Sequence, residues 1–197
     1  MISKLVIATH NRKKAGEMVA ILGARFPELE IVTLADFPNA PEPNETGTTY
    51  AENATIKAQS AFDFCNDWCV ADDAGLEIDA LDGAPGLFSK RFGGEDLPFP
   101  EKMAKILAMM SGNVERDARF RCSVALVGPG HSARVFESAC EGIIAKAPSG
   151  KGGFGYDPIF FLPELECCMA DLTPDQKHQI SHRGKVLRQL GDYLAAI

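Results

Sequence analysis

The sequence predicts a mixed α/β (α+β) fold around a mixed sheet, from three observations. Short apolar runs of strand length alternate with longer segments whose apolar residues recur at helical spacing. Two strand-like segments, residues 119–127 and 133–144, are joined by Gly128-Pro129-Gly130 and read as a hairpin. The chain has 197 residues, of which 46% are hydrophobic and 24% charged, enough to enclose one full core.

Taken in order, residues 4–8 (Lys-Leu-Val-Ile-Ala) form a short buried strand. Ala15, Met18, Val19, Leu22 and Phe26 then mark a helix of about three turns, and residues 30–34 a second strand. Pro38, Pro41, Pro43 and Gly47 make residues 35–48 an irregular loop. An alanine-rich helix is expected from Thr49 to Asn66. Residues 69–71 and 76–80 are expected as strands on either side of Asp72-Asp73. Residues 82–100, rich in Gly and Pro, read as a long surface loop, and loops of that length are often functional. Met103, Ile106, Leu107 and Met110 mark a helix, and a Gly-rich stretch at 147–156 leads into the apolar run 158–162. A final helix is expected over 181–195, with Val186, Leu187, Leu190 and Leu194 on one face. No repeat or linker divides residues 1–197, which are read as a single domain.

The net charge of −7 argues against a protein that grips a nucleic-acid backbone, although a few local cations suffice for one triphosphate. The six cysteines form no Cys-x-x-Cys pair and mostly lie in apolar segments, which makes them small core residues rather than zinc ligands. The sequence shows no signal peptide and no apolar run near the roughly 20 residues of a membrane span, so a cytoplasmic protein is expected.

Asp72-Asp73 directly follows an apolar strand, where a carboxylate costs several kcal/mol unless something uses it. A divalent cation is the commonest way to make such a pair tolerable. Thr9-His10-Asn11-Arg12-Lys13-Lys14 joins the first strand to the first helix, where free N–H groups and the dipole suit phosphate; an Asn cap followed by solvated basic residues is the plainer alternative. Thr49 with Glu52 fits a capping box, which leaves Glu45 free to reach a metal, while Lys57 lies two turns into that helix. Gly150 to Gly155 matches Gly-x-Gly-x-x-Gly but precedes an apolar strand instead of opening a helix, so a dinucleotide site is rejected. Those glycines either let backbone approach a ligand, with Phe154 or Tyr156 offering a face for a base, or form a flexible turn with core aromatics, two readings of equal weight. Lys177, His182 and Arg183 place three donors near the start of the last helix, which Ser181 would cap; a solvated basic turn reads equally well.

These segments occur together and in one order, and that combination resembles the inosine triphosphate pyrophosphatase family. The matching stretches are Ala8-Thr9-His10-Asn11 with Lys14; Glu45-Thr46-Gly47 through Asn53-Ala54 and Lys57; Ala71 to Leu76; Gly83-Ala84-Pro85-Gly86 with Ser89 and Arg91-Phe92; Gly152 to Pro158; and Ser181-His182-Arg183. The resemblance implies an elongated central mixed sheet flanked by helices, with two lobes around a cleft, and a homodimer. It also implies magnesium-dependent hydrolysis of deaminated purine nucleoside triphosphates to monophosphate and pyrophosphate. By position, Asp73 matches the catalytic acid and Glu45 joins it at the metal. Thr9 to Lys14, Lys57 and Lys177 match triphosphate contacts; Phe154, Gly155, Tyr156, Asp157, His182 and Arg183 match the nucleobase site. The implied partners are the nucleotide and a second copy of the chain, with no nucleic acid and no membrane.

Three positions depart from the family pattern. Ala74 stands within the substrate site where serine is usual, His10 replaces a small residue, and Lys90 replaces an alanine before Arg91. None removes an acid or a principal cation. Two other readings compete. The related Maf-like pyrophosphatases lack the His-Arg pair, and a non-catalytic nucleotide binder has no need of both acids.

Overall fold

In the computed structural model, which describes residues 2–37 and 39–197, the chain folds into two compact units. Unit 1 comprises Met1–Asp73, Cys122–Ser138 and Arg183–Ile197; unit 2 comprises Ala74–Arg121 and Ala139–His182. Among the described residues there are five α-helices and one seven-stranded mixed sheet of order β2-β1-β3-β4-β5-β6-β7, as the alternation of strand and helix patterns predicts. The strands are β1 (Lys4–Ile7), β2 (Glu30–Thr33), β3 (Trp68–Ile78), β4 (Asp117–Gly128), β5 (His131–Ile144), β6 (Phe160–Leu162) and β7 (Cys167–Cys168). The helices are α1 (Arg12–Arg25), α2 (Tyr50–Cys65), α3 (Phe99–Met109), α4 (Pro174–Ile180) and α5 (His182–Leu194).

In unit 1, β1 pairs in parallel with both β2 and β3. Alternate residues of a strand share a face. Val6 and Ala8, Cys69 and Ala71, and Ala125 and Val127 make one face of small side chains, on which α2 lays Ala54, Ala58 and Ala61. Alanine gives the helix propensity and the close approach together. Thr49 caps α2 through the box with Glu52, and Asn66, in the left-handed conformation at φ 53°, ends it. In unit 2, β5, β6 and β7 pair antiparallel. Its core joins Leu76 and Ile78 of β3 to Met103, Ile106 and Met110 at the helical spacing read from the sequence, with Phe120, Tyr156, Ile159 and Phe160.

Three expectations are corrected. The acids do not separate two strands, because β3 runs unbroken from Trp68 to Ile78 through Asp72 and Asp73. Both carboxylates have ion-pair partners that make their burial tolerable. The basic cluster does not open one final helix: Thr173 caps a separate α4 with Pro174 in its first turn, and Ser181 leaves helical geometry at ψ 156°. The final helix therefore starts at His182, and Lys177 belongs to α4. Residues 82–100 are not wholly loop, because a 3-10 turn forms at Gly86–Phe88 and α3 already begins at Phe99.

Candidate active site

Adjacent strand residues point to opposite faces of a sheet, and this separates the two acids. Asp73 shares the face of Cys69 and Ala71, under α2. There Asn53 and Lys57, four residues apart and so neighbours on the helix surface, both meet it. Asn53 Nδ2 donates to Asp73 Oδ2 at 3.4 Å, and Lys57 Nζ donates to Asp73 Oδ1 at 2.8 Å. Lys57 Nζ also donates to Glu45 Oε1 at 2.8 Å, so two carboxylate oxygens converge on one ammonium. The Glu45 loop is fastened by Gly47 N–H donating to Asn53 Oδ1 at 2.8 Å. A Cβ on Gly47 would lie 2.7 Å from that same oxygen, so glycine is required for the approach. Burial raises the Asp73 pKa above its ordinary value, and Lys57 only partly opposes the rise. The Lys57 pKa is also raised: burial opposes the charge, but Asp73 and Asp72 outweigh it.

Asp72 points the other way and is almost fully buried. Arg183 of α5 donates to its Oδ2 from Nε at 3.2 Å and from Nη2 at 2.8 Å, and Lys14 of α1 lies 3.3 Å from the same oxygen. Arg183 Nη1 donates to Glu17 Oε2 of α1 at 2.7 Å. Burial disfavours the Asp72 charge, but Lys14, Arg183 and Lys57 outweigh it and hold the pKa well below the usual carboxylate range. Among the described residues Asp72 Oδ1 is buried without a hydrogen-bond partner. The thiol of Cys122 lies 4.0 Å from Oδ2, and burial pushes its pKa up to about 12.

The two acids thus face opposite ways. Asp72 is neutralised by basic side chains, and Asp73 alone converges with Glu45.

The residues before α1 form a capped helix start. Asn11 Oδ1 accepts from the N–H groups of Lys13 and Lys14 at 3.0 and 3.2 Å, and Asn11 N–H donates to Thr9 Oγ1 at 3.2 Å. Two of the N–H groups expected to face a phosphate are thus taken by the cap, while His10, Arg12 and Lys13 remain exposed.

Unit 2 holds the other candidates. Asp157 is buried and organises the Gly-rich loop by accepting from Phe154 N–H at 2.7 Å and from Lys177 Nζ at 2.6 Å. Gly153, at φ 66°, permits the turn; a Cβ there would fall 2.1 Å from Asp157 Oδ2. The Lys177 ammonium sits 4.5 Å from the centre of the Phe154 ring, whose side chain is half-buried, and Gly155 turns at φ 69°. Tyr156 is not a stacking platform: it is 3% exposed, packs edge-on against Phe99, and donates its hydroxyl to the Ser89 carbonyl at 2.8 Å. His182 stacks on Phe120 with ring centroids 4.8 Å apart. Ala74, the first residue of unit 2, is half-buried on β3.

The structure therefore gathers Glu45, Lys57 and Asp73 on one face of unit 1, and Lys14 with Arg183 on the other. Phe154, Asp157 and Lys177 come together in unit 2. Glu17 was missed, since a half-buried helical acid gives no local signal of a partner 166 residues away. Asn53 was legible only as part of the motif, although its four-residue spacing from Lys57 placed both on one helical face.

Residues 5–193 match the Ham1 family. The dITP/XTP pyrophosphatase of Geobacillus kaustophilus is 46% identical over 193 residues, covering 97% of this chain and 94% of that protein. The protein of the same name from Listeria monocytogenes serotype 4b is 44% identical over 199 residues, covering 100% and 97%. A solved HAM1 protein from Coxiella burnetii superimposes with a TM-score of 0.90 at 38% identity, covering 100% of both chains. The Ham1 protein of Staphylococcus aureus gives 0.88 at 36% identity, covering 98% of each. Family motifs, full-length sequence likeness and fold coincide, and the chain belongs to the Ham1 family.

Proposed function

We propose that this chain is a nucleoside triphosphate pyrophosphohydrolase that cleaves deaminated purine nucleoside triphosphates, such as dITP and XTP, between the α and β phosphates. The observation that carries the reading is the convergence of Asp73 and Glu45 on the single ammonium of Lys57, in a chain whose relatives over nearly its full length are named dITP/XTP pyrophosphatase.

Magnesium fits these residues. It takes hard oxygen ligands and is usually held by one or two carboxylates, with substrate phosphates and water completing the shell. Asp73 and Glu45 offer such a pair, and Lys57 shows that their oxygens can face one positive charge. Among the described residues no set of three or more His, Cys, Asp or Glu side chains closes around a common point. When bound, the ion neutralises charge on the triphosphate.

The remaining chemistry belongs to the chain. Asp73, its pKa raised by burial, takes the proton of the water that attacks the α-phosphorus. Lys57 passes from its two carboxylates to the pyrophosphate as charge develops there, and Lys14 and the exposed cations around it attract the triphosphate. Asp72 and Arg183 act by position, tying β3, α5 and α1 together.

Base choice falls to unit 2, where Phe154 offers the half-buried ring and Lys177, His182 and loop N–H groups are donors. A donor rewards the 6-oxo group of hypoxanthine or xanthine and leaves the 6-amino group of adenine unpaired. Residues 1–197 form one functional domain in this reading, and the active form is a cytoplasmic homodimer that needs neither nucleic acid nor membrane. Among the described residues no helix is long and apolar enough to cross a membrane.

The test is pyrophosphate release from a panel of dITP, XTP, ITP, GTP and ATP, with and without magnesium, on a sample whose mass is read by light scattering. Release from dITP and XTP far above ATP, only with the ion, and a particle of twice the 21.3 kDa chain are expected. Equal turnover of ATP would reject the base assignment.

A further inference from the structure

We propose that Cys65 and Cys69 form a hydroperoxide-sensitive dithiol that closes to an intramolecular disulfide, a modification site in unit 1 distinct from the hydrolytic residues. Cys65 ends α2, the left-handed Asn66 turns the chain back, and Trp68 opens β3. This return brings the two sulfurs to 3.4 Å. A disulfide bond is about 2.05 Å long, so closure needs an approach of only about 1.4 Å.

The two thiols differ in a way that assigns their roles. Cys65 is partly exposed, so a small hydroperoxide can reach it; Cys69 is fully buried. Burial also pushes the Cys69 thiol well above its ordinary pKa, which keeps it protonated and unsuited to attack first.

The chemistry balances with hydrogen peroxide as oxidant. The Cys65 thiolate attacks one peroxide oxygen, the O–O bond breaks, and the departing hydroxide takes a proton and leaves as water. Cys65 is then a sulfenic acid. The Cys69 sulfur attacks the Cys65 sulfur, its proton passes to the leaving hydroxide, and a second water departs. Two thiols lose two electrons in total, and one peroxide is reduced to two waters.

The bridge fastens the end of α2 to the start of β3. These are the two elements that carry Asn53 and Lys57 on one side and Asp73 on the other. It also protects Cys65, because a sulfenic acid with no thiol at hand proceeds to irreversible sulfinic acid.

The test treats the purified full-length protein with one equivalent of hydrogen peroxide, counts free thiols after denaturation, and maps disulfide-linked peptides by mass spectrometry. The expected result is a fall from six thiols to four, with Cys65 joined to Cys69 in the monomeric chain and recovery of six on reduction. In Cys69→Ser, Cys65 should stop at sulfenic acid and be trapped by dimedone. If that buried substitution prevents folding, Cys65→Ser at the half-exposed helix end serves instead and must lose no thiol. Retention of all six thiols in the wild type, a bridge through Cys167 or Cys168, a bridge between chains, or no dimedone adduct in folded Cys69→Ser would each overturn the proposal.

Discussion

Two adjacent aspartates have opposite fates because one peptide step along β3 reverses the direction of the side chain. Asp73 meets one ammonium shared with Glu45, and burial raises its pKa. Asp72 meets Lys14 and Arg183, and its pKa falls. Asp73→Asn keeps the shape and removes the base. Turnover of dITP should drop by at least about 10²-fold, as loss of a general base does, while the melting temperature stays within a few degrees; pyrophosphate release and calorimetry read the two. Asp72→Asn should behave differently. A partner removed from a buried ion pair costs about 3–5 kcal/mol, so this variant should be markedly less stable at pH 7. The sign of the pH dependence follows from the depressed pKa. Below the ordinary carboxylate value of about 3.9 the unfolded chain binds a proton that the native Asp72 resists. The stability Asp72 contributes is therefore present in full above that pH and is lost progressively as pH falls below it towards the depressed native value. Urea unfolding should show the gap between wild type and Asp72→Asn holding from pH 7 to about 5 and narrowing as pH falls from about 4 towards 3.

At the scale of elements, α5 does more than cover apolar surface with Val186, Leu187 and Leu190. Its Arg183 is a three-way fastener to β3 and α1. The resemblance placed this arginine at the nucleobase, where Arg183→Ala would reduce ITP turnover and spare ATP. With Nε, Nη1 and Nη2 all serving carboxylates, the outcome changes. Arg183→Ala should lose stability on the scale of Asp72→Asn and lose kcat/KM for dITP and ATP by similar factors. A loss confined to dITP would return the arginine to the base. The helical stripes of α1, α2 and α3 and the hairpin of β4 and β5 were legible in the sequence because their signals are local: period, cap and turn. The start of the final helix beside Ser181 was legible too, but the short α4 before it was not, because seven residues hold too little helical period to be recognised.

For the whole molecule, the chain changes unit inside β3, β4 and β5 and between the first two residues of α5. Neither unit is one continuous segment, and neither can melt without cutting an element shared with the other. Unfolding should therefore be a single transition. The one tryptophan, Trp68, lies in unit 1 with its ring centroid 5.0 Å from that of His131 and reports that unit alone. Its fluorescence should change at the same urea concentration as the far-ultraviolet circular dichroism of both units; two separated midpoints would show independent melting.

By itself the sequence determined the mixed α/β class, the strands and helices that carry the motifs, the family, and the acid, the cations and the Gly-rich loop as the residues of interest. Those follow from spacing along a chain, and spacing is written in the sequence. Tertiary structure alone decided which charge meets which. Asp72 and Arg183 are 111 positions apart, and Glu17 and Arg183 are 166 apart. No periodicity reports a partner at such range, and a buried charge takes its pKa from the opposite charges that folding brings within a few ångströms of it.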